Sequence, residues 1–167
     1  MRFITVFGIL CALTWQAKAD INVSFQEGAP KDRFTITNAG TCDIGPAQIS
    51  IDLSGSEYGL IFDVTSEGAG VEVFQPFEIT SGRDNLSTVP EVKDGDDSIT
   101  LKLSGLKPNQ TFAFTIDVDD TKKSREITVT NGELQGASVV VKTEKAVLSA
   151  PFRENASATV ALSSCGA

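Results

Sequence analysis

The side chains best suited to chemistry in this sequence are two runs of aspartate, Asp94-Gly95-Asp96-Asp97 and Asp117-Val118-Asp119-Asp120. On an extended strand, alternate side chains share a face, so Asp117 and Asp119 point the same way. Carboxylates so placed repel each other unless a cation or solvent separates them. Calcium takes six to eight oxygens, of the kind that aspartates and loop carbonyls supply. The expected ligands are therefore Asp117, Asp119 and Asp120, with Asp94, Asp96 and Asp97 as a second group. Neither run is an EF-hand: Asp117-Val118-Asp119-Asp120-Thr121-Lys122 lacks glycine at the sixth place and the closing glutamate. Lys122, Lys123 and Arg125 follow at once, so a charge-paired, solvated hairpin end is the competing reading.

Other chemistries find little to work with. The chain contains no histidine. Ser-His-Asp and Cys-His arrangements are thereby excluded, as are histidine-bearing zinc sites. Neither a Gly-x-Ser-x-Gly elbow nor a phosphate-binding Gly-x-x-x-x-Gly-Lys-Ser/Thr run occurs. A carboxylate pair could perform glycosidase chemistry, yet 22 acidic residues offer no reason to single out two. The expectation is a protein that is not an enzyme, with a carboxylate-based hydrolase as the weaker alternative. Stacking-type sugar recognition needs tryptophan or tyrosine. Trp15 sits in the apolar N-terminal run and Tyr58 is the one tyrosine. The phenylalanines at 25, 34, 62, 74, 77, 112, 114 and 152 read as core. Glycan or small-ligand binding through calcium and aspartates stays open.

The elements that must position these residues follow an N-terminal leader. Arg2, an apolar stretch from Phe3 to Trp15, and small residues at Ala17 and Ala19 form the three parts of a secretory signal, cut after Ala19. The stretch falls short of the roughly 20 apolar residues that span a bilayer. Leu10 before Cys11 does not suit a lipoprotein cleavage site. The expectation is a secreted or periplasmic protein, with a leader over residues 1–19 and one domain over 20–167. The leader carries Arg2 and Lys18 and no acid, so its removal takes the net charge from −8 to −10. That sign disfavours nucleic acid and anionic membranes, where affinity rests on Lys and Arg neutralising phosphates. A protein or extracellular polymer is the expected partner. Cys42 and Cys165 remain, and an even pair in an oxidising compartment reads as a disulfide. Closing so long a loop contributes about 4–5 kcal/mol in the chain-entropy model.

Apolar segments after the leader are short, rich in Val, Ile, Phe and Thr, and bounded by turn residues. Apolar and polar residues alternate in Ile21–Phe25, Phe34–Thr37, Ile49–Leu53, Ile99–Leu103, Phe112–Val118 and Ile127–Thr130, the period of a half-buried strand. Leu60–Phe62 and Val139–Val141 are continuous and read as buried on both faces. Val71–Phe74 and Ala158–Leu162 complete about ten strands. Turn signals such as Asn38-Ala39-Gly40, Gly68-Ala69-Gly70 and Lys107-Pro108-Asn109 separate them. Ser81–Asp97 and Pro151–Asn155 read as surface loops. This spacing predicts an all-β chain folded as a single β-sandwich, Ig-like or jelly-roll-like. The strands at 139–141 and 158–162 could extend a partner's sheet if they lay at an edge.

The runs Phe34-Thr35-Ile36-Thr37-Asn38-Ala39-Gly40-Thr41-Cys42-Asp43-Ile44-Gly45, Ile51-Asp52-Leu53-Ser54-Gly55-Ser56, Gly59-Leu60-Ile61-Phe62-Asp63-Val64-Thr65, Gly68-Ala69-Gly70-Val71-Glu72-Val73-Phe74 and Phe114-Thr115-Ile116-Asp117-Val118-Asp119-Asp120-Thr121 together resemble small secreted proteins of marine-type alphaproteobacteria that carry the label "aggregation factor core". The resemblance covers roughly two thirds of the chain after the leader. It implies cell adhesion or aggregation through calcium-dependent surface material and brings no catalytic residues. Asp117, Asp119 and Asp120 are the residues it would carry as calcium contacts. The expected function is thus an exported adhesive or structural β-sandwich, stabilised by calcium.

Mass spectrometry tests the export reading. The protein recovered outside the cytoplasm should begin at Asp20 and gain the mass of two hydrogens on reduction. Recovery of the chain with Met1 attached, or with free thiols, contradicts it.

Overall fold

The computed structural model describes residues 19–68, 70, 74–122 and 128–162. Among the described residues, eleven strands run in chain order: β1 (Ala19–Gln26), β2 (Asp32–Asn38), β3 (Ala47–Asp52), β4 (Leu60–Asp63), β5 (Glu78–Ser81), β6 (Leu86–Thr88), β7 (Ser98–Leu103), β8 (Thr111–Asp120), β9 (Ser138–Lys142), β10 (Val147–Pro151) and β11 (Ser157–Leu162). Short 3-10 turns at Arg83–Asn85 and Asn131–Leu134 are the helical pieces. They form two antiparallel sheets packed face to face, an all-β sandwich. One sheet has the order β11-β1-β2-β8-β4, with β5 also paired to β8, and the other has the order β10-β9-β3-β7-β6. No helix among the described residues is long and apolar enough to cross a membrane.

Alternation in the sequence becomes the core directly. Ile21, Val23 and Phe25 of β1, Phe34 and Ile36 of β2, and Phe112, Phe114, Ile116 and Val118 of β8 turn inward. They meet Ile49 and Ile51 of β3, Ile99 and Leu101 of β7, and Val139 and Val141 of β9 in one apolar cluster. Phe34 is its centre, stacked on Phe114 at 5.3 Å between ring centroids and tilted against Phe25 at 5.0 Å. Such ring pairs add about 0.5–1.5 kcal/mol beyond the area they bury. Phe25, Phe34, Phe62, Phe112, Phe114 and Phe152 are buried as the sequence implies, and Phe74 and Phe77 are half-buried.

Three strands lie where the sequence does not signal them. β5 and β10 carry few large apolar residues, and β6 falls inside the segment read as the long loop 81–97. Each sits at a sheet margin and is held by main-chain pairing more than by burial. The expected strand at Ile127–Thr130 does not form over its described part. Val129 is buried, but Thr130 caps the 3-10 turn instead: its hydroxyl and N–H both donate to Glu133 Oε2, at 3.0 and 2.6 Å. Val140 is half-buried rather than enclosed, because β9 alternates faces. Residues 71–73 of the expected strand at Val71–Phe74 lie outside the described residues, as does the apolar run Phe3–Trp15 expected to belong to a leader.

A corner joins the two sheets beside β4. The Phe62 N–H donates to the Asp96 carbonyl at 2.8 Å, and the Gly95 N–H returns to the Phe62 carbonyl at 3.0 Å. The Leu53 N–H donates to the Asp97 carbonyl at 2.7 Å. β4 therefore has β8 on one edge and, on the other, the segment that leads into β7 of the opposite sheet. Asp63, Asp94, Asp96 and Asp97 lie at this corner.

Candidate metal centre

β8 is buried along nearly its whole length on both faces. Its inner face is apolar and belongs to the core. Parity places Ala113, Thr115, Asp117 and Asp119 on the outer face. These polar positions are covered by chain, not by water: Asp117 and Asp119 are 6% and 1% exposed. β4 pairs antiparallel with β8 and sets Asp63 directly opposite Asp117. Cross-strand partners share a face about 4.5–5.5 Å apart at Cβ, so a third carboxylate joins the first two. Oxygens of Asp63, Asp117 and Asp119 lie within 4.8 Å of one another.

Gly70 and Gln75, from the connection between β4 and β5, lie against the site. The Gln75 N–H donates to the Asp63 carbonyl and the Asp117 N–H to the Gln75 carbonyl, both at 3.2 Å. Gly70 lies against the carboxylates themselves. A Cβ there would overlap Asp63 Oδ2 and stand 2.7 Å from Asp119 Oδ2, which only glycine avoids. Asp63 is 1% exposed, and among the described residues neither of its oxygens has a hydrogen-bond partner. Asp117 Oδ2 is likewise buried without one. A buried carboxylate normally collects N–H or O–H donors, since desolvation without them costs several kcal/mol. Here the groups that act on Asp63 are instead the carboxyls of Asp94 and Asp119.

Burial and like charge raise the proton affinity of the group. Desolvation, reinforced by the charges of Asp119, Asp32 and Asp63, pushes Asp117 up to about 8. Desolvation and contact with Asp94 and Asp119 push Asp63 well above the usual carboxylate range. Asp32 is raised to about 7, chiefly by burial. Its oxygens are already used, Oδ1 accepting from the Gly28 N–H at 3.1 Å and Oδ2 from the Val118 N–H at 3.0 Å. It adds charge to the site without a free ligand atom. For Asp94 burial acts upward too. The N–H groups of Val64 and Thr65 and its contact with Asp63 outweigh it and hold the pKa below the usual range.

The two aspartate runs are thus divided by the fold. Asp117 and Asp119 come together. Asp120 is buried, but its parity is that of Val118, on the opposite face, and it stands outside the cluster. Asp94 reaches the site through Asp63, whereas Asp96 Oδ2 accepts from the Lys93 N–H at 2.8 Å and Asp97 is exposed. Asp63 is the member that sequence reasoning did not include. It closes an apolar run with no acidic neighbour, and only the pairing of β4 with β8 reveals it. Lys122 is exposed; Lys123, Arg125 and Cys165 lie outside the described residues. Cys42 is half-buried against the core. Neither known family models nor curated protein sequences give a match to this chain.

A pH dependence follows. A carboxyl whose folded pKa lies above its unfolded value contributes stability that is fully present below about pH 4 and lost as pH rises through the folded pKa. Asp117, Asp63 and Asp32 all have this sign, and Asp94, of opposite sign, acts only at lower pH. In excess chelator, the melting temperature should fall steadily between pH 5 and pH 8. A flat or rising profile over that window contradicts the description of the cluster.

Proposed function

We propose that this chain is an exported, non-enzymatic β-sandwich with an adhesive or structural role, completed by a calcium ion held by Asp63, Asp117 and Asp119. The single observation that carries the reading is Asp63, a buried carboxylate with two unpartnered oxygens facing other carboxylates. A divalent cation supplies the missing positive charge. The donor set is all oxygen and mounted on paired strands, which suits a hard cation. Magnesium holds its waters tightly, whereas calcium accepts a cage of many protein oxygens. The near-complete burial of the three carboxylates therefore favours calcium.

The surroundings agree with a structural role. The carboxylates are buried against Gly70 and Gln75, away from the open surface that a substrate would need. Three surface hollows, around Lys102 and Lys142, around Asn85 and Gln110, and around Thr88 and Ser98, have no aromatic lining on which a sugar could stack. Export to a calcium-rich, oxidising compartment, a Cys42–Cys165 bridge and the resemblance to the aggregation-factor group all belong to the same reading. A protein or extracellular polymer is the partner it implies.

Calcium titration against the melting temperature tests it. Extracellular modules bind calcium with dissociation constants of about 10⁻⁴–10⁻³ M. Ligand at a hundred times the dissociation constant stabilises by about 2.7 kcal/mol, roughly 5–11 °C for a domain of this size. Ten millimolar calcium, roughly ten to a hundred times such constants, should therefore raise the melting temperature by several degrees, and magnesium by much less. Asp63→Asn relieves the charge repulsion, so this variant should melt higher than the wild type in chelator and show no response to calcium. An unresponsive wild type would overturn the proposal.

A further inference from the structure

Resting on that calcium reading, we propose that Asp94 is a fourth ligand of the ion, and that the ion therefore clasps the two sheets together at this end of the sandwich. The triad belongs to the six-stranded sheet, on β4 and β8. Asp94 belongs to the connection between β6 and β7, both strands of the other sheet. Its Oδ1 is occupied, accepting the Val64 and Thr65 N–H groups at 3.0 and 3.1 Å. Those two bonds fix the carboxyl in place, where the group meets Asp63, and leave Oδ2 on the side of Gly68. Gly68 makes room for this oxygen, since a Cβ there would overlap it. Asp63 thus stands between two carboxylates, Asp119 on its own sheet and Asp94 from the other connection, with both of its own oxygens unpartnered.

This arrangement is more than a local charge pair. The segment holding Asp94 continues through Gly95 and Asp96, which pair with Phe62, and Asp97, which pairs with Leu53. These main-chain bonds tie it to β4 only at a sheet corner. A cation shared by Asp94 and Asp63 adds a link between the carboxyls themselves to the two N–H bonds that Val64 and Thr65 already make to Asp94. Cation occupancy should consequently be felt at the exposed Lys93–Asp94 bond, which lies outside both sheets.

The test combines binding and cleavage on the full secreted chain. Terbium and calcium binding are measured by luminescence and calorimetry, and cleavage after Lys93 by endoproteinase Lys-C is followed by mass spectrometry in calcium and in chelator. Asp94→Asn keeps the oxygen that accepts from Val64 and Thr65, so it should fold normally. The control Asp96→Asn alters the same connection outside the site. For the wild type, calcium should slow cleavage after Lys93 at least tenfold. Asp94→Asn should bind calcium at least tenfold more weakly and lose that protection, with Asp96→Asn unchanged in both. A wild type that binds calcium, with Asp94→Asn equal to it in affinity and protection, overturns the clasp and leaves the three-carboxylate site standing. A wild type that binds neither ion overturns the underlying reading as well.

Discussion

Three carboxylates buried within 4.8 Å of each other are the constraint around which this end of the molecule is organised. Solvent barely reaches them and, for Asp63, no donor among the described residues does. Left as anions they repel; held as acids they need protons that neutral water supplies reluctantly. On the proposed reading, a calcium ion removes the conflict and turns a liability into a joint. The rest of the architecture is consistent with a protein arranged to keep such a group together. β8 is long enough to serve both the core and the site, and β4 pairs with only its final four residues.

The division of labour within β8 is simple. Phe112, Phe114, Ile116 and Val118 bind the strand to the core, so its position and twist are set by packing with Phe34 and its neighbours. Asp117 and Asp119 alternate with them and are therefore fixed in register as firmly as the core residues. A slip of one residue would exchange the faces and bury the aspartates in the apolar interior. The hydrophobic pattern thereby specifies the geometry of the charged group. Gly70 and Gly68 complete the fit from the covering side, leaving space that any larger residue would take from Asp63 or Asp94.

Much of this was legible before the fold was known. Alternation identified β1, β2, β3, β7 and β8, and the same period implied that Asp117 and Asp119 share a face. It also implied that Asp120 does not, an inference open to the sequence but masked by treating the Asp-Val-Asp-Asp run as one unit. The strands that escaped, β5, β6 and β10, are marginal ones whose side chains bury little, so their existence depends on a neighbour's unpaired main chain. Asp63 escaped for a related reason. Its role arises from which strand lies beside β8, and no local pattern around Leu60-Ile61-Phe62 encodes that choice. Asp94 was noticed for its company in an acidic loop, while its place in the structure comes from two main-chain N–H groups on a different segment.

Diffraction from crystals grown with calcium and then exchanged into terbium, recorded at the terbium absorption edge, addresses the central claim most directly. The account predicts one strong anomalous peak at about 2.3–2.6 Å from carboxylate oxygens of Asp63, Asp117 and Asp119. Clear density for those three side chains with no peak between them, their oxygens instead drawn together as proton-sharing pairs, would contradict it.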